Sequence, residues 1–224
     1  LPMIDWAQQT NQCILQLLPI NDTTMTGTWT DSYPYNANST FALHPMYLRV
    51  QDLGEIADPK RRKYYAEQAR ELNALKEIDY ERANNLKNEY TREIFAQEGA
   101  KTLATKEYKA FVERNKHWLM PYAAFCVLRD KFGTPDFTKW GKFAAFSAKV
   151  LKDVIKANAA EIDYVCYLQY HLDRQMRRVH EYAASKGVAL KGDVPIGISR
   201  TSADAWNTTS ILSLIHISEP TRPY

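Results

Sequence analysis

Several signatures are missing from this chain, and each absence removes a class of function. There is no CxxC, HExxH, Walker loop or GxGxxG, so metal and nucleotide chemistry have no local support, and neither a metal nor a cofactor is expected. No apolar run approaches the length of a membrane span. The opening residues, LPMIDWAQQTNQ, lack the basic start and apolar core of a secretory signal. Charge of one sign is not in excess. A net charge of +3, with Lys and Arg interleaved among Glu and Asp, offers no basic patch for nucleic acid. Cysteine is scarce: Cys13, Cys126 and Cys166 are odd in number, far apart and flanked by apolar residues. They read as buried free thiols in a reducing, cytoplasmic setting rather than as a disulfide framework.

What is present is an ordinary globular composition, 224 residues with 45% hydrophobic and 25% charged, enough for one large domain or two small ones. The stretch IDWAQQTNQCILQLLPIND reads as the end of a helix, a short connection and a buried strand. Its near-continuous apolar run, Cys13 to Ile20, suits a parallel strand covered on both faces. Residues 21–47 form a long segment rich in Thr, Asn, Ser, Tyr and Pro, and a loop of that length in a compact domain is usually functional. From residue 58 the composition turns helical. Asp58-Pro59 is an N-cap with Pro at the first helical position, and two helices are expected to 98, broken near NALKEID. Residues 104–132 read as another helical pair stopped by Gly133. A long helix follows from Ala159 to Ser185, with Val165, Leu168, Leu172, Met176, Val179 and Ala183 on one face; Gly187 caps it and VALKG reads as a strand. A helix that returns to a second buried strand makes a βαβ crossover with parallel strands. Ligands gather at the carboxyl ends of such strands, which would bring the 21–47 loop beside Asp193.

The loop's chemistry suits sugar. Trp29, Tyr33, Tyr35 and Tyr47 offer flat faces for pyranose C–H groups, and Asp31, Ser32, Asn36 and Asn38 offer donors and acceptors for the hydroxyls. The alternative is a structural loop whose tyrosines cover neighbouring helices. A lone carboxylate directly after a buried strand, as at Asp193, must be paired, hydrogen-bonded or facing a cleft. His171 and His180 have no partner at ligand spacing and read as solvated or satisfied histidines; KRRK at 60–63 reads as a solvated helix start.

Three stretches in order, LLPINDTT…DSYPYNANSTFALHPMYLRV, HWLMPYAAFCVLRDKFGTPDFTKWG and YLQYHLDRQMRRVHEYAASKGVALKGDVPIGISRTSADAW, resemble the 4-alpha-glucanotransferases, the amylomaltases of glycoside hydrolase family 77. The resemblance covers residues 1–206 and leans toward the plant cytosolic type and its bacterial relatives. It implies an α/β fold, a partial TIM-type (β/α)8 barrel with about strands 2 and 3 and a large helical insertion. Residues 1–57 would then hold strand 2 and the substrate loop, 58–158 the helical insertion, and 159–206 the long helix and strand 3. Ser32, Tyr35 and Asp193 match the family's donor-sugar residues, and Trp29 is a looser candidate. The implied partners are α-1,4-glucans, with no nucleic acid and no membrane.

The resemblance also implies what is not here. Retaining enzymes of this kind use an Asp nucleophile and a Glu acid/base about 5–5.5 Å apart. The family's catalytic carboxylates follow its third strand, and its Arg-x-Asp motif is nowhere in the chain, so no catalytic residue is assigned. Residues 207–224 read as a non-native tail, with 207–211 open to either reading: from Leu212 to Arg222, LSLIHISEPTR back-translates to a sequencing-adapter pattern. With no initiator Met at its start, the chain reads as a fragment. Two other readings stand beside this one, a helical interaction module without catalysis and a hydrolase of the wider α-amylase group.

Overall fold

Short side-chain caps set the helix starts. In the computed structural model, which describes residues 1–195 and 197–208, Asp58 accepts a hydrogen bond from the Lys60 N–H to open α2 (Pro59–Asn73). Asp79 does the same for Arg82 at the start of α3 (Tyr80–Ala104), so the break at 74–79 falls where NALKEID places it. Thr105 alone separates α3 from α4 (Lys106–Phe132) and caps the latter through the Tyr108 N–H. The expected pair over 104–132 is therefore one helix, with Pro121 inside it. A proline there costs about 3 kcal/mol. Leu119, Phe125 and Leu128 are buried around it, at about 1.5–3 kcal/mol each, and that burial wins. Gly133, at φ +63°, ends α4 in the left-handed conformation.

Three further helices complete the body: α5 (Ala148–Ala157), α6 (Ala159–Ser185) and α7 (Ala203–Asn207), and α1 (Pro2–Gln9) packs near the end of α6. The sequence reading gave no helix at α5 or α7. Between α4, α6 and α7 lies the main core, built on Phe125, Trp140 and Trp206, whose rings meet at 5.1 Å (Phe125–Trp140) and 5.8 Å (Trp140–Trp206). Both indoles are satisfied: Trp140 Nε1 donates to Thr134 O and Trp206 Nε1 to Phe143 O, each at 3.0 Å. The N-terminal half of α6 is buried almost all round because α3 and α4 flank it, so its buried surface is wider than one stripe.

That burial corrects the reading of His171. Its ring lies against Tyr167 at 4.4 Å and Tyr170 at 5.2 Å, and its Nε2 has no hydrogen-bond partner among the described residues. Burial, with Arg174 adding to it, pushes its pKa down to about 4. His180 is exposed. At the start of α2, Arg61 also departs from a solvated reading, since its guanidinium turns onto α3 and bonds Glu93, Glu89 and Tyr65.

Helix α6 ends in a Schellman turn. Gly187 (φ +70°) donates to Ala184 O at 3.0 Å and Val188 to Ala183 O at 2.9 Å. The chain then enters β2 (Ala189–Lys191), which pairs in parallel with β1 (Ile14–Gln16) in the register Ile14↔Ala189, Leu15↔Leu190, Gln16↔Lys191. Leu15 and Leu190 pack with Ile4 and Ala7 of α1, Ala183 near the end of α6 and Val188 in the turn after it. The opposite face carries Ile14 and Gln16. Here the expected strand, Cys13 to Ile20 covered on both faces, is corrected: three residues pair, helices cover one face, and Ile14 and Leu18 are 60% and 61% exposed. Cys13 is exposed for the same reason, whereas Cys126 and Cys166 are buried and their thiols are pushed up to about 12 by burial.

Among the described residues no helix is long and apolar enough to cross a membrane. Of the proposed tail, 209–224 lie outside the described residues; Asn207 closes α7.

Candidate functional site

The aromatic loop is folded by its own acids. Asp31 is buried, and its Oδ2 accepts from three successive backbone groups, Met25 N at 3.0 Å, Thr26 N at 2.9 Å and Gly27 N at 2.7 Å. Gly27 takes φ +76° to make that turn. The result is a tight 3₁₀ turn, Trp29–Ser32, that packs against α3 and still leaves Trp29 69% exposed and Ser32 exposed too. From α3, Glu81 accepts the Trp29 N–H at 3.0 Å and steadies the turn. Asn38 is also buried and satisfied, by Asp22 and by Ala203 N. Asp31 and Asn38, expected among the sugar-facing groups, instead face inward and hold the loop.

The second half of the loop is clamped to the helices by residues that sequence reasoning did not single out. Gln169 on α6 accepts from Leu43 N at 2.9 Å and donates to Leu43 O at 2.8 Å. Two turns on, Gln175 does the same to Arg49, at 2.9 Å both ways. His44 Nδ1 accepts from Met46 N while its Nε2 meets the Tyr80 hydroxyl at 2.8 Å. Lys87 donates to the carbonyls of Met46 and Leu48. Burial lowers the pKa of His44 and of Lys87, and raises the Tyr80 phenol to about 12. One signal was available in advance: Gln169 sits next to the apolar stripe of α6, where a buried amide requires a partner.

The loop meets the far end of the chain at Tyr35. Its hydroxyl donates to Asp193 Oδ2 at 2.8 Å, joining residues 158 positions apart. Just beyond, Ala37 forms a parallel bridge with Ile198, and Ser199 N donates to Ala37 O at 3.1 Å. The segments that follow β1 and β2 therefore share one rim, as the crossover implied. The hydrogen bond to Asp193 raises the Tyr35 pKa, so the phenol keeps its proton at neutral pH and remains a donor. Asp193 Oδ1 accepts only its neighbour's amide, Val194 N at 3.0 Å, among its described bonds. Each carboxylate oxygen retains acceptor capacity for a ligand hydroxyl, and the Tyr35 oxygen can accept from one. Tyr33 stacks obliquely on Tyr35 with ring centroids 5.7 Å apart, giving the rim an apolar wall. Of the four sequence candidates, Tyr35 and Asp193 are brought into contact, while Ser32 and Trp29 stand exposed just upstream in the same loop.

Comparison with known proteins gives this arrangement a family. The family model described as 4-alpha-glucanotransferase, glycoside hydrolase family 77, matches residues 1–216. The 4-alpha-glucanotransferase DPE2 of rice, Oryza sativa subsp. japonica, is 44% identical over 207 residues, which cover 91% of this chain and 22% of the rice protein. A 4-alpha-glucanotransferase of Chlamydia muridarum is 32% identical over 92% of this chain and 38% of its own length. Among solved structures, the amylomaltase of Streptococcus agalactiae in complex with acarbose superimposes with a TM-score of 0.77 at 20% identity, covering 95% of this chain and 42% of that one. The amylomaltase of Corynebacterium glutamicum gives 0.65 at 19% identity, over 91% and 28%. The fold is thus that of the amylomaltases, and the chain spans roughly a fifth to two fifths of the length of these curated relatives. The chain belongs to the 4-alpha-glucanotransferases of glycoside hydrolase family 77.

Proposed function

We propose that the full-length protein transfers α-1,4-glucan segments from one glucan to another with retention at the anomeric carbon. A carboxylate elsewhere in that protein would attack the donor's anomeric carbon as a carboxylic acid protonates the departing glycosidic oxygen. The acceptor's hydroxyl, deprotonated by the same acid/base, would then displace the carboxylate and restore it. In this chain β1 and β2 would be barrel strands 2 and 3, residues 58–158 the insertion, and the rim of Ser32, Tyr35 and Asp193 a donor-sugar subsite with Trp29 as a stacking face. We place the enzyme in the cytoplasm, on the ground of its free Cys126 and Cys166 thiols.

The observation that supports this best is the Tyr35–Asp193 hydrogen bond, because it puts a carboxylate, a phenol and an aromatic wall at the ends of two parallel strands. The test is product analysis of the full-length protein on maltotriose. Glucose together with glucans longer than the substrate is the expected outcome. Shorter sugars alone mean hydrolysis, and no turnover at all leaves the chain a non-catalytic module.

A further inference from the structure

We infer that Asp22 is the positioning residue of this rim, acting through Asn38 and the 198–204 segment rather than by touching sugar; the inference rests on the reading of Tyr35 and Asp193 as sugar-binding residues. Asp22 lies in the segment that follows β1 and is wholly out of water. A buried carboxylate is costly unless its lone pairs are taken up. Here they are. Oδ2 accepts from Asn38 Nδ2 at 3.0 Å and from the Tyr122 hydroxyl of α4 at 2.9 Å, and Oδ1 accepts from Thr24 N at 3.0 Å. The backbone of the same residue donates to Ala42 O at 2.8 Å and accepts from Asn38 N at 2.7 Å. One residue therefore fastens the loop at 24, 38 and 42 and ties it to the helical body. Arg129, half-buried in α4, donates to Thr24 O at 2.7 Å and holds the same turn from the helical side.

The linkage to the rim runs through Asn38. Its Oδ1 and its backbone oxygen both accept from Ala203 N, at 2.9 and 3.0 Å. Alongside, Thr40 donates twice to Asp204 Oδ2, at 2.7 Å from N and 2.8 Å from Oγ1. Between Asn38 and the rim stands the Ala37↔Ile198 bridge. Tyr35 lies two residues before Ala37 and Asp193 five before Ile198, so the bridge fixes how the two meet. The geometry requires hydrogen-bond acceptors at both side-chain oxygens of residue 22. Asn38 cannot turn its amide without setting its own Nδ2–H against the Ala203 N–H, so Nδ2–H must point at residue 22. An asparagine there would set its own N–H against either Asn38 Nδ2 or Thr24 N, leaving a donor facing a donor whichever way it turned. Tyr122, whose hydroxyl can rotate, is the only partner that tolerates the change.

The test is a double-mutant cycle on kcat/KM for maltotriose in the full-length protein, with thermal unfolding in parallel. Asp22→Asn is expected to lower kcat/KM about tenfold or more in the wild-type background, and by less than about threefold once Asp193→Asn has removed the acceptor it positions. Tyr122→Phe, which deletes one donor and leaves the rest of the cluster, is expected to show a smaller drop with the same non-additivity, and it decides the matter if Asp22→Asn fails to fold. Equal factors in both backgrounds, or wild-type kinetics in a folded Asp22→Asn, overturn the inference while the sugar-binding reading stands. Silence of Asp193→Asn and Tyr35→Phe themselves overturns that reading, and the inference with it.

Discussion

Trp206 and Ile14 are both large and apolar, yet Trp206 is wholly out of water and Ile14 is 60% exposed. The first belongs to the helical body, where α4, α6 and α7 supply one another's cover from positions spread along the chain. The second belongs to a sheet that, among the described residues, has two strands and is covered by helices on one side. The two regions follow different rules. A helix satisfies its backbone internally and needs only a neighbour for its apolar face, whereas a strand needs partners on both edges as well. On the barrel reading, further strands of the full-length protein supply those edges and cover Ile14 and Leu18.

The largest effects should separate the regions by context. Trp206→Ala should cost about 3–5 kcal/mol in the full-length protein, read by urea unfolding. Ile14→Ala should cost about 2–5 kcal/mol there as well, because on the barrel reading further strands would bury it. In the 224-residue chain alone, hydrogen exchange should be slowest in α4 and α6 and unprotected in β1 and β2. A full-length protein indifferent to Ile14→Ala would mean that this face stays open, and the barrel reading would fail.

A pH effect comes next, and it centres on His171 in the helical body. His171 titrates near 6.5 when unfolded and near 4 when folded, so between those values the unfolded chain binds more protons. Stability from this residue is therefore complete above about 6.5 and is lost as pH falls toward 4, by about 3 kcal/mol at most. His44 is shifted in the same direction by burial. His171→Phe keeps an aromatic ring between Tyr167 and Tyr170 and removes the proton. Unfolding midpoints of wild type and variant should agree at pH 7 and part at pH 4.5, with the variant ahead. A constant gap at both values would deny that His171 is held neutral.

How much of this was legible in the sequence follows the same division. Local chemistry announced itself: Asp58-Pro59, Gly133 and Gly187 mark the ends of helices, and they do so through their own backbone geometry. The position of Asp193 after β2 likewise pointed to the rim, because a crossover fixes where two strand ends meet. Non-local satisfaction did not announce itself. Asp31 and Asn38 looked like groups for a ligand, and only the folded loop shows three amides converging on one and Ala203 on the other. His171 lacked ligand spacing, which said nothing about how thoroughly α3 and α4 would enclose it. The apolar run after Cys13 was read as a strand longer than the three residues that pair, because hydrophobicity reports eventual burial and not ladder length.

The rim itself is most directly tested at Asp193, in the full-length protein acting on maltotriose. Asp193→Asn keeps the volume and loses the charge-assisted hydrogen bonds to sugar hydroxyls, which are worth about 1.5–3 kcal/mol. A fall in kcat/KM of roughly ten- to a hundredfold, with the melting temperature unchanged, is the expected result. Wild-type kinetics in a folded Asp193→Asn variant, or a sharp fall in melting temperature with activity per folded molecule preserved, would make the Tyr35–Asp193 bond a structural brace and not a sugar site.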